Sequence, residues 1–301
     1  MSKQYPGPWI LRSMLFTSGH NRSYIEKAFK SKADCIVLDL EDAVPENRKK
    51  DARVMSREIL ESDLVDKRPV FVRINPMETG HTLIDLDSVA CRQLSGFVYP
   101  KAYSARDVEA FSAQLALIEM HLGLEKGHFD IIVLMETPQA VLNAFEIASS
   151  SPRVIGLLFG CEDFITDMRG AHGPEGRSLL VPRHLISMAA RAAGIVPIDT
   201  PFVNVHDAEG LQDHISQARE LGYEGMLVMS PRQIEVAANR YSVSDEERSR
   251  AEDIVAASAD STRGISVKKD LFVSPPTFRR AQDLLKRWDH LAAFEKDVSS
   301  S

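Results

Sequence analysis

The sequence predicts an α/β fold, a (β/α)8 TIM barrel followed by a C-terminal helical extension. Eight short apolar segments alternate with helical patterns over roughly 240 residues, the size of such a barrel. Most segments are apolar at consecutive positions, as in parallel strands that are buried on both faces. An open doubly wound sheet is the alternative, but no GxGxxG motif follows the first segment.

The first four predicted strands are short, and each ends at a polar or proline-containing turn. Residues 9–16 form the first, and a helix over 22–30 follows. The second strand, 35–40, changes abruptly from apolar to acidic before a charged helical pattern over 46–60. The third covers 69–74 and precedes a weakly helical stretch that ends at Arg92. The fourth covers 96–99 and precedes a long amphipathic helix over 105–122.

The last four predicted strands repeat this alternation. Strand 130–135 precedes a helix over 138–148, with proline in the first turn, where a missing N–H is tolerated. The remaining strands cover 154–159, 195–198 and 225–228. Their helices cover 182–193, 208–221 and a segment beginning at residue 231, and a glycine-rich insertion follows the sixth strand.

The remaining C-terminal segment is too short to form a large core of its own. Helices are predicted over 243–257, where Ser244 and Glu247 have capping-box spacing, and over 276–296. A polar linker, 260–266, and an extended stretch, 268–273, connect them. We therefore predict a barrel domain over residues 1–240 and an extension or lid over 241–301.

The overall composition is that of a globular protein without nucleic-acid or membrane partners. Of the 301 residues 44% are hydrophobic and 26% charged, and the formal net charge of −7 argues against a general nucleic-acid surface. No apolar run reaches membrane-spanning length, and the first residues lack a signal or transit pattern. The three cysteines form no CxxC motif. These features predict a soluble, cytoplasmic protein.

Charged side chains recur at the carboxyl ends of the predicted strands, the end at which TIM barrels build active sites. A single acid in such a place often only caps the following helix. Recurrence at several strands favours a functional set instead. Its members are Glu41, Asp42, Arg73, Lys101, Glu136, Glu162, Asp163 and Asp199.

Several acids with one arginine and one lysine indicate a hard divalent cation and a substrate that carries a carboxylate. Mg²⁺ prefers one or two carboxylates together with water and substrate oxygens. Zinc is disfavoured because none of the nine histidines has HxxH or HExxH spacing. Arg73 can bind a carboxylate through two hydrogen bonds, or it can form a structural salt bridge with Glu41 or Asp42. Such a site favours enolate chemistry, and hence carbon–carbon cleavage or condensation beside a carboxylate.

The motifs in this chain resemble those of the citrate lyase β-subunit-like family of the HpcH/HpaI aldolases, which includes malyl-CoA and citramalyl-CoA lyases. The resemblance covers nearly the whole chain, with the motifs in family order. They are RSMLF at 12–16 with Gly19, LDLEDAV at 38–44, KDAR at 50–53, VRIN at 72–75, PK at 100–101, ETP at 136–138 and GCEDF at 160–164.

The resemblance implies a TIM barrel in which Glu136 and Asp163 hold Mg²⁺. It implies catalytic roles for Arg73, Glu41 and Asp42, with the two acids supporting the water molecules of the metal. It also implies substrate binding by Arg73, Lys101 and Glu136, with Arg12 near the acyl-thioester end. Family members are commonly homotrimers or hexamers.

The chain departs from the family pattern at three places. Ser18 replaces the proline of the first turn. Met226 and Ser230 replace a lysine and a histidine at the eighth strand. Ser274 stands where lyases of free CoA thioesters carry an acid, with Asp270 nearby but out of register. These departures bear on the substrate.

The resemblance therefore predicts a Mg²⁺-dependent lyase that cleaves a short β-hydroxyacyl-CoA, citramalyl-CoA or malyl-CoA. The products would be acetyl-CoA and an α-keto acid, pyruvate or glyoxylate. The alternatives are a malyl-CoA thioesterase and a citryl-carrier-protein lyase subunit. The predicted partners are acyl-CoA, α-keto acids and further copies of the chain.

Overall fold

The computed structural model describes residues 7–173, 176–259, 266–268 and 271–299. The described residues fall into two compact units. The larger unit comprises Leu11–Tyr241, and the smaller one comprises residues 7–10 and the described part of Ser242–Ser301. No helix in these described ranges combines the length and the apolar content needed to cross a membrane.

The larger unit is a closed parallel barrel, as predicted from the alternating pattern. Its strands pair in sequence order, and β1 pairs with both β2 and β8. The first strand begins four residues later than predicted. The strands are β1 Ser13–Ser18, β2 Cys35–Asp39, β3 Val70–Arg73, β4 Gly96–Tyr99, β5 Asp130–Met135, β6 Val154–Phe159, β7 Val196–Asp199 and β8 Gly225–Val228.

Helices connect the strands and cover the outside of the barrel. The predicted helix over 138–148 is interrupted at Asn143, whose side-chain amide donates to the Tyr103 carbonyl oxygen (2.8 Å). The helices are α1 Arg22–Phe29, α2 Lys49–Leu60, α3 Thr82–Val89, α4 Ala105–Leu122, α5 Pro138–Leu142, α6 Ala144–Ser149, α7 Cys161–Asp167, α8 Arg177–Ala193, α9 Ala208–Glu220 and α10 Pro231–Tyr241.

The side chains of each strand alternate between the barrel interior and the helical layer, since successive side chains of a strand point to opposite faces. On β5, Val133 and Met135 are fully buried in the core cluster that includes the helices. Leu134 and the following Glu136 line a cavity in the barrel instead. This alternation decides which strand-end residues reach the site.

The smaller unit consists of helices α11 Asp245–Ala259 and α12 Pro275–Ser299 and an antiparallel pair of strands, β9 Ser266–Lys268 and β10 Leu271–Val273. The predicted capping box at the start of α11 is present. The Ser244 N–H donates to Glu247 Oε2 (2.9 Å), and the Glu247 N–H donates to Ser244 Oγ (3.1 Å). The Arg248 guanidinium lies 4.9 Å from the centre of the Trp288 ring.

Candidate active site

A cavity of about 480 Å³ opens at the carboxyl ends of the barrel strands. This is the end where βα loops assemble the active sites of such barrels. Charged and apolar residues line it together. The charged ones are Asp39, Asp42, Arg73, Glu136, Glu162 and Asp163, and the larger apolar ones are Phe16, Leu134, Pro201, Leu227 and Met229.

Arg73 is held in the cavity by Asp39, a residue that the sequence analysis did not assign to the site. The two residues lie opposite each other in the pairing of β2 with β3. Arg73 donates from Nε to Asp39 Oδ1 (2.7 Å) and from Nη2 to Asp39 Oδ2 (2.5 Å). Strand pairing and side-chain direction together could have identified this pair, because both residues end adjacent strands on the same face.

Asp39 also organises the loop that follows it. Its carboxylate accepts hydrogen bonds from the N–H groups of Glu41 (2.9 Å) and Ala43 (3.1 Å). Burial alone would raise the pKa of Asp39, but Arg73 and these backbone donors outweigh it and lower the pKa. Asp39 is therefore a fixed anion that orients both Arg73 and the acidic loop.

Glu41 and Asp42 approach the remaining nitrogen of the same guanidinium, as expected from the sequence. Arg73 Nη1 lies 2.9 Å from Glu41 Oε2 and 3.5 Å from Asp42 Oδ2. Burial raises the pKa of Glu41 to about 8, and Glu136, Asp42 and Asp39 add to the effect against Arg73. Glu41 thus lies in a region where negative charge exceeds positive charge.

Lys101, Glu136 and Asp163 form the second charged group of the site. The Lys101 ammonium lies 2.6 Å from Asp163 Oδ1 and 3.6 Å from Glu136 Oε1. The backbone N–H of Lys101 also donates to Glu136 Oε1 (2.9 Å). Lys101 itself has a left-handed φ of 49°. Such a φ is uncommon outside glycine, so tertiary contacts hold the turn after β4 in place.

The carboxylate of Glu136 is almost completely buried, at 1% side-chain exposure. Burial raises its pKa to about 7, and Asp163 adds to this effect, while Lys101 and Arg73 oppose it. Burial lowers the pKa of Lys101, but Glu136 and Asp163 outweigh burial and raise it. The positive charge of the protein alone does not fully compensate this group of carboxylates.

Gly160 provides the space that Glu136 occupies. A Cβ atom at this position would lie 2.9 Å from Glu136 Cβ and 3.4 Å from Glu136 Oε2. Only glycine allows such a close approach without displacing the carboxylate. Gly160 begins the GCEDF motif at 160–164, but the motif alone does not indicate this role.

A buried lysine holds the acidic loop that follows β2 through hydrogen bonds to its backbone. Lys49 donates to the carbonyl oxygens of Leu40 (2.9 Å) and Glu41 (3.2 Å) and to Asn75 Oδ1 (2.6 Å). Asn75 in turn donates to Asp85, which binds Arg53. The network therefore connects the loop after β2, which carries Glu41, to the loop after β3, which begins next to Arg73.

Two residues that the sequence analysis placed at the site lie elsewhere. Arg12 precedes β1 at the amino ends of the strands, where Nε and Nη2 both donate to the Asp34 carboxylate (2.8 Å each). Asp199 follows the inward-facing Ile198, so it points outward and binds Arg183 and His214. The expected position of Arg12 near the acyl thioester is therefore corrected, and Asp199 is part of the helical layer.

The donor atoms of the cavity fit a hard divalent cation. Glu136 and Asp163 already converge on one cation, the Lys101 ammonium, and both offer carboxylate oxygens. Glu41 Oε2 is buried and lies 2.9 Å from Arg73 Nη1, but it accepts no well-aligned hydrogen bond from the described residues. Burial, and to a smaller extent neighbouring carboxylates, raises the pKa values of Glu41 and Glu136, and an ion that brought two positive charges would oppose both effects.

A softer group of ligands lies beside these carboxylates. Single ligand atoms of Cys161, Glu162 and His172 lie within 4.8 Å of one another. Burial raises the pKa of the Cys161 thiol to about 12, which favours the unreactive thiol and a packing role. This group therefore adds no nucleophile to the site.

Ser274, which stands where lyases of free CoA thioesters carry an acid, lies in the smaller unit. Ser274 precedes α12, its N–H donates to Thr277 Oγ1 (2.7 Å), and its hydroxyl accepts from the Thr277 N–H (3.4 Å). The serine thus begins a helix in the manner of an N-cap. Asp270, the other candidate, lies outside the described residues.

Comparisons with known proteins agree with this fold. The family model described as HpcH/HpaI aldolase/citrate lyase matches residues 12–231. The citrate lyase subunit beta of Haemophilus influenzae is 33% identical over 92% of this chain and 97% of its own. A (3S)-malyl-CoA thioesterase of Cereibacter sphaeroides is 30% identical over 94% of this chain and 96% of its own.

A solved structure is similar over nearly the whole chain. It is the CitE protein of Mycobacterium tuberculosis in complex with magnesium, acetoacetate and coenzyme A. Its TM-score is 0.74 and its identity 28%, over 93% of this chain and 100% of that chain. With the match to the family model and the identity to the curated relatives, these likenesses show that the chain belongs to the HpcH/HpaI aldolase/citrate lyase family and is a carbon–carbon lyase.

Proposed function

We propose that the protein is a Mg²⁺-dependent lyase that cleaves a short β-hydroxyacyl-CoA, citramalyl-CoA or malyl-CoA. The products are acetyl-CoA and an α-keto acid, pyruvate or glyoxylate. One observation carries the proposal: two carboxylates, Glu136 and Asp163, converge beside an arginine that can bind a carboxylate, in one cavity. The magnesium and coenzyme A in the M. tuberculosis structure support it.

In this proposal Glu136 and Asp163 hold the metal. When bound, Mg²⁺ polarises the oxygen that becomes the keto group and stabilises its negative charge. Lys101 contacts both ligands and keeps them together through its backbone N–H and its ammonium group. Gly160 leaves Glu136 room to face the cavity.

Arg73 binds the carboxylate of the keto-acid half of the substrate. Nε and Nη2 each donate a hydrogen bond to the Asp39 carboxylate, so the orientation of the guanidinium is fixed before the substrate binds. The remaining nitrogen, Nη1, contacts the carboxylates of Glu41 and Asp42. A substrate carboxylate can replace one of these acids at Nη1, which makes binding an exchange of anions.

Glu41 and Asp42 assist proton transfer at the bond that is cleaved. In the cleavage direction the hydroxyl group loses a proton, the carbon–carbon bond breaks, and the thioester enolate gains a proton. Glu41 suits the first step, because a carboxyl group with a pKa of about 8 exchanges protons near neutral pH. Asp42 is exposed at the rim, where it can orient water.

The test is to incubate the purified protein with (S)-citramalyl-CoA or (S)-malyl-CoA, with and without Mg²⁺, and to trap keto acids with phenylhydrazine. We expect Mg²⁺-dependent release of pyruvate or glyoxylate, and its loss in Glu136→Ala. Keto acid formed equally in the presence of a chelator would contradict the proposed metal role. Absence of keto acid from both thioesters would overturn the proposed substrates.

Two relatives define the alternative functions. The identity to a (3S)-malyl-CoA thioesterase suggests hydrolysis, which the same incubation would reveal as free CoA and malate without keto acid. The identity to a citrate lyase subunit beta suggests action on a citryl thioester of a carrier protein. Release of oxaloacetate from that thioester, without activity on CoA esters, would identify this function.

We further propose that the protein is a cytoplasmic homo-oligomer, a trimer or hexamer, in which residues 241–301 act as a lid. The three cysteines are free and buried, which suits a reducing compartment. Several large apolar side chains on the outer helices of the barrel are exposed and would suit contacts between copies.

A further inference from the structure

We infer that the cavity selects a 2-oxo acid with one carboxylate and a short alkyl substituent, as in pyruvate, over a dicarboxylate such as oxaloacetate. Leu134 and Leu227 are the residues that determine this selection. The inference rests on the proposed function and narrows its substrate class.

The charges of the cavity disfavour a second carboxylate. Its described lining carries five carboxylates and a single cation, Arg73. Asp39 already neutralises that cation through two hydrogen bonds. The proposed Mg²⁺ would compensate Glu136 and Asp163, so that Asp42 and Glu162 remain without a counter-charge in the lining. The nearby ammonium of Lys101 is 2.6 Å from Asp163. A second substrate carboxylate would therefore meet like charges without a cation of its own, which weakens binding strongly in a partly buried site.

The apolar part of the cavity provides a surface for an alkyl group. Leu134 lies two residues before Glu136 on the same face of β5, so it lies beneath a proposed metal ligand. Its Cδ1 atom is 3.3 Å from the position that a Cβ atom of Gly160 would take. Leu227 contributes from β8 and Phe16 from β1. The carbon that carries the keto group thus has apolar neighbours for its substituent.

The same surface distinguishes pyruvate from glyoxylate by a smaller factor. Burying one methyl group contributes roughly three- to five-fold in affinity, whereas glyoxylate has only hydrogen at this position. The expected order of affinity is therefore 2-oxobutyrate or pyruvate first, then glyoxylate, and oxaloacetate last.

The test measures the binding of four 2-oxo acids to the full-length protein loaded with Mg²⁺, by isothermal titration calorimetry and without a thioester. The acids are pyruvate, 2-oxobutyrate, glyoxylate and freshly prepared oxaloacetate. We expect pyruvate to bind at least ten-fold more tightly than oxaloacetate. Equal or tighter binding of oxaloacetate would overturn the inference and leave the proposed lyase activity intact.

Variants test the two named residues. Leu227→Arg should raise oxaloacetate affinity at least ten-fold, whereas the neutral Leu227→Gln should not. Leu134→Ala should shift the preference toward longer 2-oxo acids, whereas Val133→Ala, on the outward face of the same strand, should leave it unchanged. Unshifted preferences in folded Leu134 and Leu227 variants would remove these residues from the inference. If no 2-oxo acid binds at all, the proposed function itself fails, and the inference with it.

Discussion

The function of the Arg73 guanidinium depends on the orientation that its partners impose as well as on its charge. Asp39 fixes Nε and Nη2, and this bidentate geometry requires a planar guanidinium. Lysine at this position keeps the charge but loses the second hydrogen bond and the orientation. We expect Arg73→Lys to raise the KM for the 2-oxo acid about 10- to 100-fold, measured in the condensation direction with acetyl-CoA.

A matched control for Arg73→Lys is Arg22→Lys. Arg22 also binds one carboxylate, Glu58, but this pair is about half exposed on the outer surface and should contribute little. An unchanged KM in Arg73→Lys would show that the arginine holds the loop rather than the substrate.

Gly160 is the residue whose small size the site depends on most directly. A methyl group there would contact Glu136 Cβ at 2.9 Å, so Gly160→Ala must displace the carboxylate. We expect at least ten-fold weaker Mg²⁺ binding, measured by calorimetry, with the barrel still folded. Gly173→Ala is the control, because a Cβ atom there would have no neighbour within 4 Å in the part of the chain that the structure describes. Equal Mg²⁺ affinities of the two variants would contradict the role of Glu136 as a ligand.

The buried carboxyl group of Glu41 predicts how stability depends on pH in the metal-free protein. Its pKa is about 8 when folded and near 4.5 when unfolded, so the folded protein retains a proton that the unfolded chain releases. The free energy of unfolding therefore decreases as pH rises from about 4.5 to about 8. Glu41→Gln removes this contribution, so the decrease should be smaller by about 1–4 kcal/mol.

The measurement is urea unfolding at pH 5 and pH 9 in the presence of a chelator. Glu109→Gln, which changes an exposed carboxylate on α4, serves as the control and should retain the wild-type decrease. Identical decreases in Glu41→Gln and the wild type would show that Glu41 ionises normally in the folded protein.

At the scale of elements, the segment between β2 and α2 is held by one buried lysine. Lys49 is 9% exposed and donates hydrogen bonds to the carbonyl oxygens of Leu40 and Glu41 and to Asn75 Oδ1. Lys49→Met would leave the buried Asn75 Oδ1 without this donor, and it would leave each carbonyl oxygen with one donor, from the Asn75 side chain or the Val44 N–H. We expect a loss of about 2–4 kcal/mol in the free energy of unfolding, measured by urea titration.

Lys49→Met should also lower the lyase activity, because the Glu41 carbonyl oxygen would keep only the Val44 N–H as a donor and the acidic loop would be held less firmly. The neighbouring Lys50→Met is the control, since Lys50 is exposed and should change neither property by a measurable amount. Full stability in Lys49→Met would mean that the hydrophobic packing of α2 alone holds the segment.

The strands could be predicted from the sequence because each is a short apolar run beside a polar turn. The direction of individual side chains could not, since a shift of one residue reverses it. Asp199 illustrates this: it ends β7, as Asp39 ends β2, but it follows the inward-facing Ile198 and binds Arg183 in the helical layer. Arg12 was placed near the acyl thioester by the resemblance alone, whereas in the structure it precedes β1 and binds Asp34.

At the scale of the whole molecule, the sequence predicted the barrel and most of the charged residues that line its cavity. A closed parallel barrel brings the carboxyl ends of all its strands to one rim. Charged residues that recur at the strand ends along the chain therefore lie close together in the folded molecule. Asp39, Lys49 and Gly160 were missed because their roles depend on contacts with other residues of the site, and no spacing in the chain encodes those contacts. The arrangement of supporting residues is thus a property of the folded molecule.

The outer surface of the barrel carries an apolar face whose exposure predicts self-association. Helices α5 and α6 pack against α8, and their exposed side chains include Leu142 (79% exposed) and Val181 (65%). Apolar side chains clustered in this way on neighbouring helices commonly mark interfaces between copies. Phe145, Leu180 and Met188 complete the face.

We expect the wild-type protein to have three or six times the 33.5 kDa mass of one chain in light scattering after gel filtration. Leu142→Glu combined with Val181→Glu should give a monomer, because each charge would lose its water in an apolar interface. Leu83→Glu, at an exposed leucine of α3, is the matched control and should keep the oligomer. An oligomer that survives the double substitution would place the interface on another surface, and a wild-type monomer would refute the prediction of an oligomer.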